Sequence, residues 1–331
     1  MLPAVNGQPA QGYQANSEGG NVDLRVPYIG YSSQSESYTA AGISAYNALQ
    51  THVEKRMSHG VQLGFSYTYS HALDEQSALG LFYNGNNPLN LRSAYGNSDF
   101  DRTHVFNMSY LFQLHNFASE SSWQGKIIDG WALSGTAIIQ SGQPFSVIDY
   151  SGAVGSIFYG TSDGITNPIV PLVAGRSPKS CYTGHAGAYT DSSGNPLPAL
   201  DASCFTLPLL QPGALNGAIP PDDLYETNFI KSGQRNIFRQ SWQKRADISI
   251  LKTTKITERV SAKYSFDMFN VTNTPSFDIP VDDVTQNEFF DDFPEVGTPP
   301  QDFYNAPFGL GNVNKIIGSQ RQIQMSLSFL F

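Results

Sequence analysis

Positions 320–331 read QRQIQMSLSFLF, and this stretch decides the fold. Ile323, Met325, Leu327, Phe329 and Phe331 fall on one row, and Gln322, Gln324, Ser326 and Ser328 on the other. A period of two marks an extended strand, because successive side chains point to opposite faces of a sheet. One row is apolar and the other carries amides and hydroxyls, so the two faces meet different media.

Working outward, the same pattern recurs. In 61–70, VQLGFSYTYS, Val61, Leu63, Phe65, Tyr67 and Tyr69 alternate with Gln62, Gly64, Ser66, Thr68 and Ser70. The connection MSHG at 57–60 joins this stretch to Ser44–Arg56, which predicts a hairpin. Further strands are predicted over Thr103–Leu114, Trp131–Val147, Gln243–Thr253 and Glu258–Asn270. RVPYIGY at 25–31 suggests a short strand in which Pro27 fits poorly. Residues 1–24 and 32–42 read as loop.

The connections alternate in length. Those at 57–60, 115–130 and 253–257 are short or medium, and those at 72–101, 149–240 and 274–315 are long. In an up-and-down meander alternate connections lie on opposite edges, so all the long ones share one side. Asp247, Lys263 and Asp267 fall on the polar rows, where charge is tolerated toward a wet lumen but not toward lipid. The expected fold is therefore all-β: an antiparallel, up-and-down transmembrane β-barrel segment of about 7–8 strands with long extracellular loops. Tyr67, Tyr69, Trp131, Phe329 and Phe331 suit interfacial girdles, and Phe329 and Phe331 also read as the C-terminal barrel signal.

Composition agrees without deciding. Charged residues make up 14% and aromatic ones 12% of the 331 residues, a pattern that a secreted β-sandwich would also show. No uncharged apolar run is long enough for a membrane-spanning helix. The net charge of -9 leaves no basic stripe for nucleic acid. Met1–Gly7 lacks the basic and apolar regions of a signal peptide, which leads us to expect a fragment of a longer protein. Cys181 and Cys204 lie in one irregular segment; a disulfide would suit an oxidising compartment, although spacing does not fix whether they approach.

Several stretches resemble the C-terminal barrel of TonB-dependent outer-membrane receptors, in particular the Oar-like transporters with a carboxypeptidase-regulatory-like domain. They are YNALQTHVEKR (46–56), SDFDRTHVFNMSYLFQL (98–114), GWALSGTAIIQSGQPFSV (130–147), GQRNIFR (233–239), ADISILKTTKITER (246–259), FNVTNTPSFDIP (269–280), FG (308–309) and RQIQMSLSFLF (321–331). The resemblance spans roughly residues 25–331. It implies a barrel of about 22 strands with an N-terminal plug, of which this chain is the last part. It further implies localisation in the outer membrane, contact with outer-membrane lipid and with the rest of the barrel and plug, and coupling to the TonB complex only through the missing N-terminal part.

No hydrolase, metalloprotease, redox, nucleotide or EF-hand motif occurs, so neither an enzyme nor a cofactor is expected. The six histidines are scattered. Asp99, Asp101, Arg102 and His104 could be a metal or catalytic group but read better as a polar network where the chain re-enters the barrel. The carboxylates Asp282, Asp283, Glu288, Asp291, Asp292 and Glu295 match no cation-loop spacing. Arg235, Asn236, Arg239 and Trp242 precede a strand; they could contact substrate at the mouth or pair with acidic loop residues. The expected function is ligand binding and passage across the outer membrane. The alternatives are a passive porin or adhesin-like barrel and a secreted β-rich carbohydrate-binding protein.

Overall fold

The computed structural model describes residues 41–77, 90–118, 122–149, 169–182, 198–205, 209–210, 226–227, 229–282, 310–311, 313 and 316–331. Seven long strands form one antiparallel sheet: β1 (Ser44–Ser58), β2 (Val61–Asp74), β3 (His104–Gln113), β4 (Trp131–Gln140), β5 (Gln243–Lys255), β6 (Ser261–Phe269) and β7 (Gln322–Leu330). They pair strictly in chain order, so the sheet is a meander. Its first and last strands do not pair with each other, and the sheet stays open.

The register carries the pattern of each strand into its neighbour. Val61 lies opposite Phe112, Phe112 opposite Leu133, Leu133 opposite Ile250, Ile250 opposite Phe266 and Phe266 opposite Met325. Directly opposed residues of an antiparallel pair share a face, so the separate apolar rows fuse into one apolar face across β2 to β7. Phe65 and Phe106 add an edge-on contact on it, with ring centroids 4.7 Å apart. The other face runs through Gly64, Ser109, Thr136 and Asp247, and through Ser134, Ser249, Asp267 and Gln324. There Asp267 accepts from Ser249 and Ser265, and Ser265 shares a 2.7 Å hydrogen bond with Ser326.

No second layer covers this sheet among the described residues. Among the helices and strands, the chief contacts of the sheet outside itself are those of β5 with helix α1 (Trp123–Ile128) and with the short strand Ser276–Phe277. Leu327 and Met325 remain more than 60% exposed.

The turns follow local chemistry. His59 and Gly60 link β1 to β2 with φ of 53° and 75°, the left-handed pair that a two-residue hairpin requires. A side chain on Gly60 would also meet the Gln113 carbonyl at 2.5 Å. The strand expected over Trp131–Val147 is shorter: β4 ends at Gln140. Gly142 passes so near the Gln240 carbonyl that a Cβ would sit 1.7 Å from it, and Pro144–Phe145 then pairs with Phe238–Arg239 in a separate ladder.

The segment 149–240, expected to be a loop without structure of its own, contributes most of the hydrophobic core. Phe145, Val147, Val170, Cys181, Leu200, Cys204, Phe205, Phe238 and Leu310 form that cluster. Cys181 and Cys204 are joined by a disulfide at its centre, with a Cα separation of 5.8 Å. The possible strand at 25–31 and most of the acidic run 282–295 lie outside the described residues.

Candidate functional site

The long connections meet on one edge of the sheet, and the segment that leads into β5 fastens them. Asn236 has a φ of 55°, a left-handed conformation that asparagine tolerates, and is buried. Its backbone N–H donates to Ser146 Oγ at 2.7 Å. Its Nδ2 donates to the Asn97 carbonyl at 2.8 Å and to Asp99 Oδ1 at 2.6 Å, and Asn97 Nδ2 donates back to the Asn236 carbonyl at 2.9 Å. One residue thereby ties together the β2–β3 connection, the chain after β4 and the approach to β5.

Two arginines flank it. Arg235 is buried; it pairs with Asp74 and donates to Ser77 Oγ at 2.6 Å and to the Asp74 carbonyl at 3.1 Å. Asp99 lies 3.9 Å from the same guanidinium. Arg239 pairs with Asp101, whose side chain is wholly buried and also accepts from the Ala72 amide at 2.7 Å. The Arg235–Asp74 pair is buried and Arg239 is half-buried against Asp101; additional hydrogen bonds satisfy most of their donors and acceptors, the condition under which buried charge is tolerated.

The two groups that the sequence suggests separately are thus one network. Asp99 and Asp101 face Asn236 and Arg239, and Asp101 lies 3.5 Å from His71 Nδ1. Trp242 is apart from them. It stacks on His104 on the apolar face, with centroids 5.7 Å apart, beside Tyr67 and Tyr69. Arg102 donates to Gln143 Oε1 at 3.3 Å, while its buried Nη1 has no partner among the described residues. Burial, and then the neighbouring Arg239, lower the pKa of Arg102 against the opposing pull of Asp101.

Asp74, Ser77, Asn97 and Ser146 complete the rim and were not singled out from sequence. Asp74 ends β2 and falls in the stretch expected as a loop from residue 72; a carboxylate at a strand end is the sequence signal that could have found it. A cavity of about 250 Å³ opens among Glu75, Asp99, Gln143, Ser146, Arg235 and Asn236. Among the described residues no group of three or more histidine, cysteine or carboxylate side chains could hold a metal.

The sheet has an apolar face that no second layer covers among the described residues and a polar face that bears charge, and the chain matches the family model of an outer membrane beta barrel domain over residues 2–324. The chain belongs to that family. No curated protein and no solved structure matches it. An outer-membrane barrel meets hydrocarbon on the outside and water within, so the apolar face is its lipid surface and the Ser-Asp-Gln face lines its lumen. The long connections lie at the extracellular edge and the short ones at the periplasmic edge. The stack of Trp242 on His104 belongs to the extracellular girdle, whereas Arg235, Asn236 and Arg239 belong to the rim.

Proposed function

We propose that the chain is the C-terminal barrel portion of a TonB-dependent, Oar-like transporter that captures a ligand with its long loops and passes it across the outer membrane. It performs no covalent chemistry and needs no cofactor. Its partners are outer-membrane lipid, the remaining barrel strands and a plug, with TonB acting through that plug. The observation that carries this reading is the rim. Its long connections are fastened to one another by Arg235, Asn236 and Arg239, with a cavity beside them that joins polar groups such as Asp99 and Ser146 to apolar ones such as Phe145 and Ile148. A fixed mouth above a polar wall suits a receptor that must hold its ligand while a plug moves.

The test uses the whole gene product in its outer membrane. Capture by the periplasmic domain of TonB, together with no steady conductance in planar bilayers, is the expected result. Steady ohmic conductance without TonB capture would replace this reading with the passive porin.

A further inference from the structure

The β3–β4 connection carries a feature that neither the rim nor the lumen uses. Helix α1 is capped by Ser122, whose Oγ accepts from the Gly125 amide at 2.9 Å, and it ends at Asp129. Asp129 accepts from the amides of Phe117 at 2.6 Å and Ala118 at 3.0 Å, which closes the connection on itself.

Three side chains set where the helix lies. Trp131 Nε1 donates to the Ile127 carbonyl at 3.1 Å, Thr254 Oγ1 donates to the Lys126 carbonyl at 3.3 Å, and Lys252 Nζ donates to the Asp129 carbonyl. Trp131 lies opposite Lys252, and Thr254 lies two residues further along β5, so all three belong to the apolar row. The helix is therefore drawn onto the outer side of the barrel at its periplasmic edge, away from the lumen.

What it presents there is apolar and cationic. Phe117 and Trp123 are more than 70% exposed and Ile127 and Ile128 more than 50%. Lys126 is exposed, and the Lys252 ammonium sits 5.2 Å from the Trp131 ring centre. Left in water, this apolar surface would be unfavourably hydrated. Trp131, at the end of the lipid-facing row of β4, adjoins it. An apolar body with aromatic and lysine groups at its margin is the composition that settles at the acyl–headgroup boundary.

We propose that helix α1 and Phe117 form a collar embedded in the inner leaflet of the outer membrane, with Lys126 and Lys252 facing the phosphates of anionic phospholipids. The inference rests on the membrane orientation of the barrel and is independent of what the barrel transports.

Both cysteines of the chain are disulfide-bonded, so Trp123→Cys and Phe117→Cys each introduce one thiol that a nitroxide can label selectively. The labelled protein is reconstituted in phosphatidylethanolamine–phosphatidylglycerol vesicles. Collisions of the nitroxide with oxygen, which partitions into lipid, are compared with those of a water-soluble nickel chelate. Leu133→Cys on the lipid face and Lys231→Cys, at an exposed position in the segment that leads into β5, give the two limits. The expected oxygen-to-nickel ratio at 117 and 123 is severalfold above that at 231 and below that at 133. A ratio equal to that at 231 would put the helix in water, and protection from both reagents would put a protein against it. Either result overturns the proposal, and the ratio at 133 reports separately on whether the barrel is inserted.

Discussion

Asn236 joins two demands that substitutions can separate: a left-handed backbone and a side chain that fills three hydrogen-bonding roles. Asn236→Gly keeps the backbone free and deletes the side chain, whereas Asn236→Ala deletes the side chain and adds the left-handed strain of about 1–2 kcal/mol. The alanine variant should therefore unfold in urea with a stability lower than the glycine variant by about that amount. Equal stabilities would mean that the backbone relaxes. The Asp101–Arg239 pair makes a second prediction. Asp101 is wholly buried but Arg239 is half-buried and can turn to water, so Asp101→Ala chiefly leaves the Ala72 amide without its acceptor and should cost about 1–3 kcal/mol. In a double-mutant cycle with Arg239→Gln, coupling of about 0.5–3 kcal/mol is expected, and additive losses would show that the two side chains do not sense each other. Little of this was legible in the sequence. Arg239 and Asp101 are 138 positions apart, and Arg235 and Asp74 are 161 apart. Each residue reads as polar and near a strand end, but only the folded register selects its partner.

The strands were legible for the opposite reason. Alternation such as Phe106, Met108, Tyr110 and Phe112 is local, and each strand states its own two faces. What remained hidden was where β4 stops, since Gly142 must approach the carbonyl of Gln240, a residue far away in the sequence. The core of Phe145, Leu200, Phe205 and Phe238 was equally hidden, because irregular backbone has no period to read. The face assignment predicts a contrast between adjacent residues of β4. Ala137 belongs to the lipid surface and Thr136 to the lumen. Ala137→Arg should destabilise the folded protein in lipid vesicles by about 2–4 kcal/mol, the cost of a cation near the bilayer centre. Thr136→Arg should have little effect, and reversal of the two would invert the barrel wall. For the extracellular core, the disulfide spans 23 positions, so reduction should remove about 3 kcal/mol from the loop assembly. Protease cleavage between Val170 and Phe205 should then rise while the strands stay protected. Unchanged cleavage would show that the apolar cluster alone holds the loops.

At the scale of the molecule, the count of strands decides how the sheet can close. Ser44 lies opposite Asp74, so β1 starts at the extracellular edge, and Gln322 opposite Phe269 places the start of β7 at the same edge. A meander of seven long strands thus begins and ends with strands that run in the same direction. Joining β1 to β7 would require a parallel pair, whereas bacterial barrels of one chain close antiparallel with an even count. The strands that cap these edges must come from outside the seven. In hydrocarbon the need is absolute, since each unpaired backbone group costs several kcal/mol. We expect hydrogen exchange in lipid to separate two states of the protein. Where capping strands are present, β1 and β7 should exchange as slowly as β4. Where residues 41–331 are inserted without them, the outward amides of β1 and β7 should exchange far faster than those of β4, which is paired on both sides. Slow exchange throughout the shorter protein would mean that its edges pair with each other or with a second copy. Cross-linking cysteines placed at Gln50 and Gln324 would then tell those two cases apart, since only direct closure joins them within one molecule.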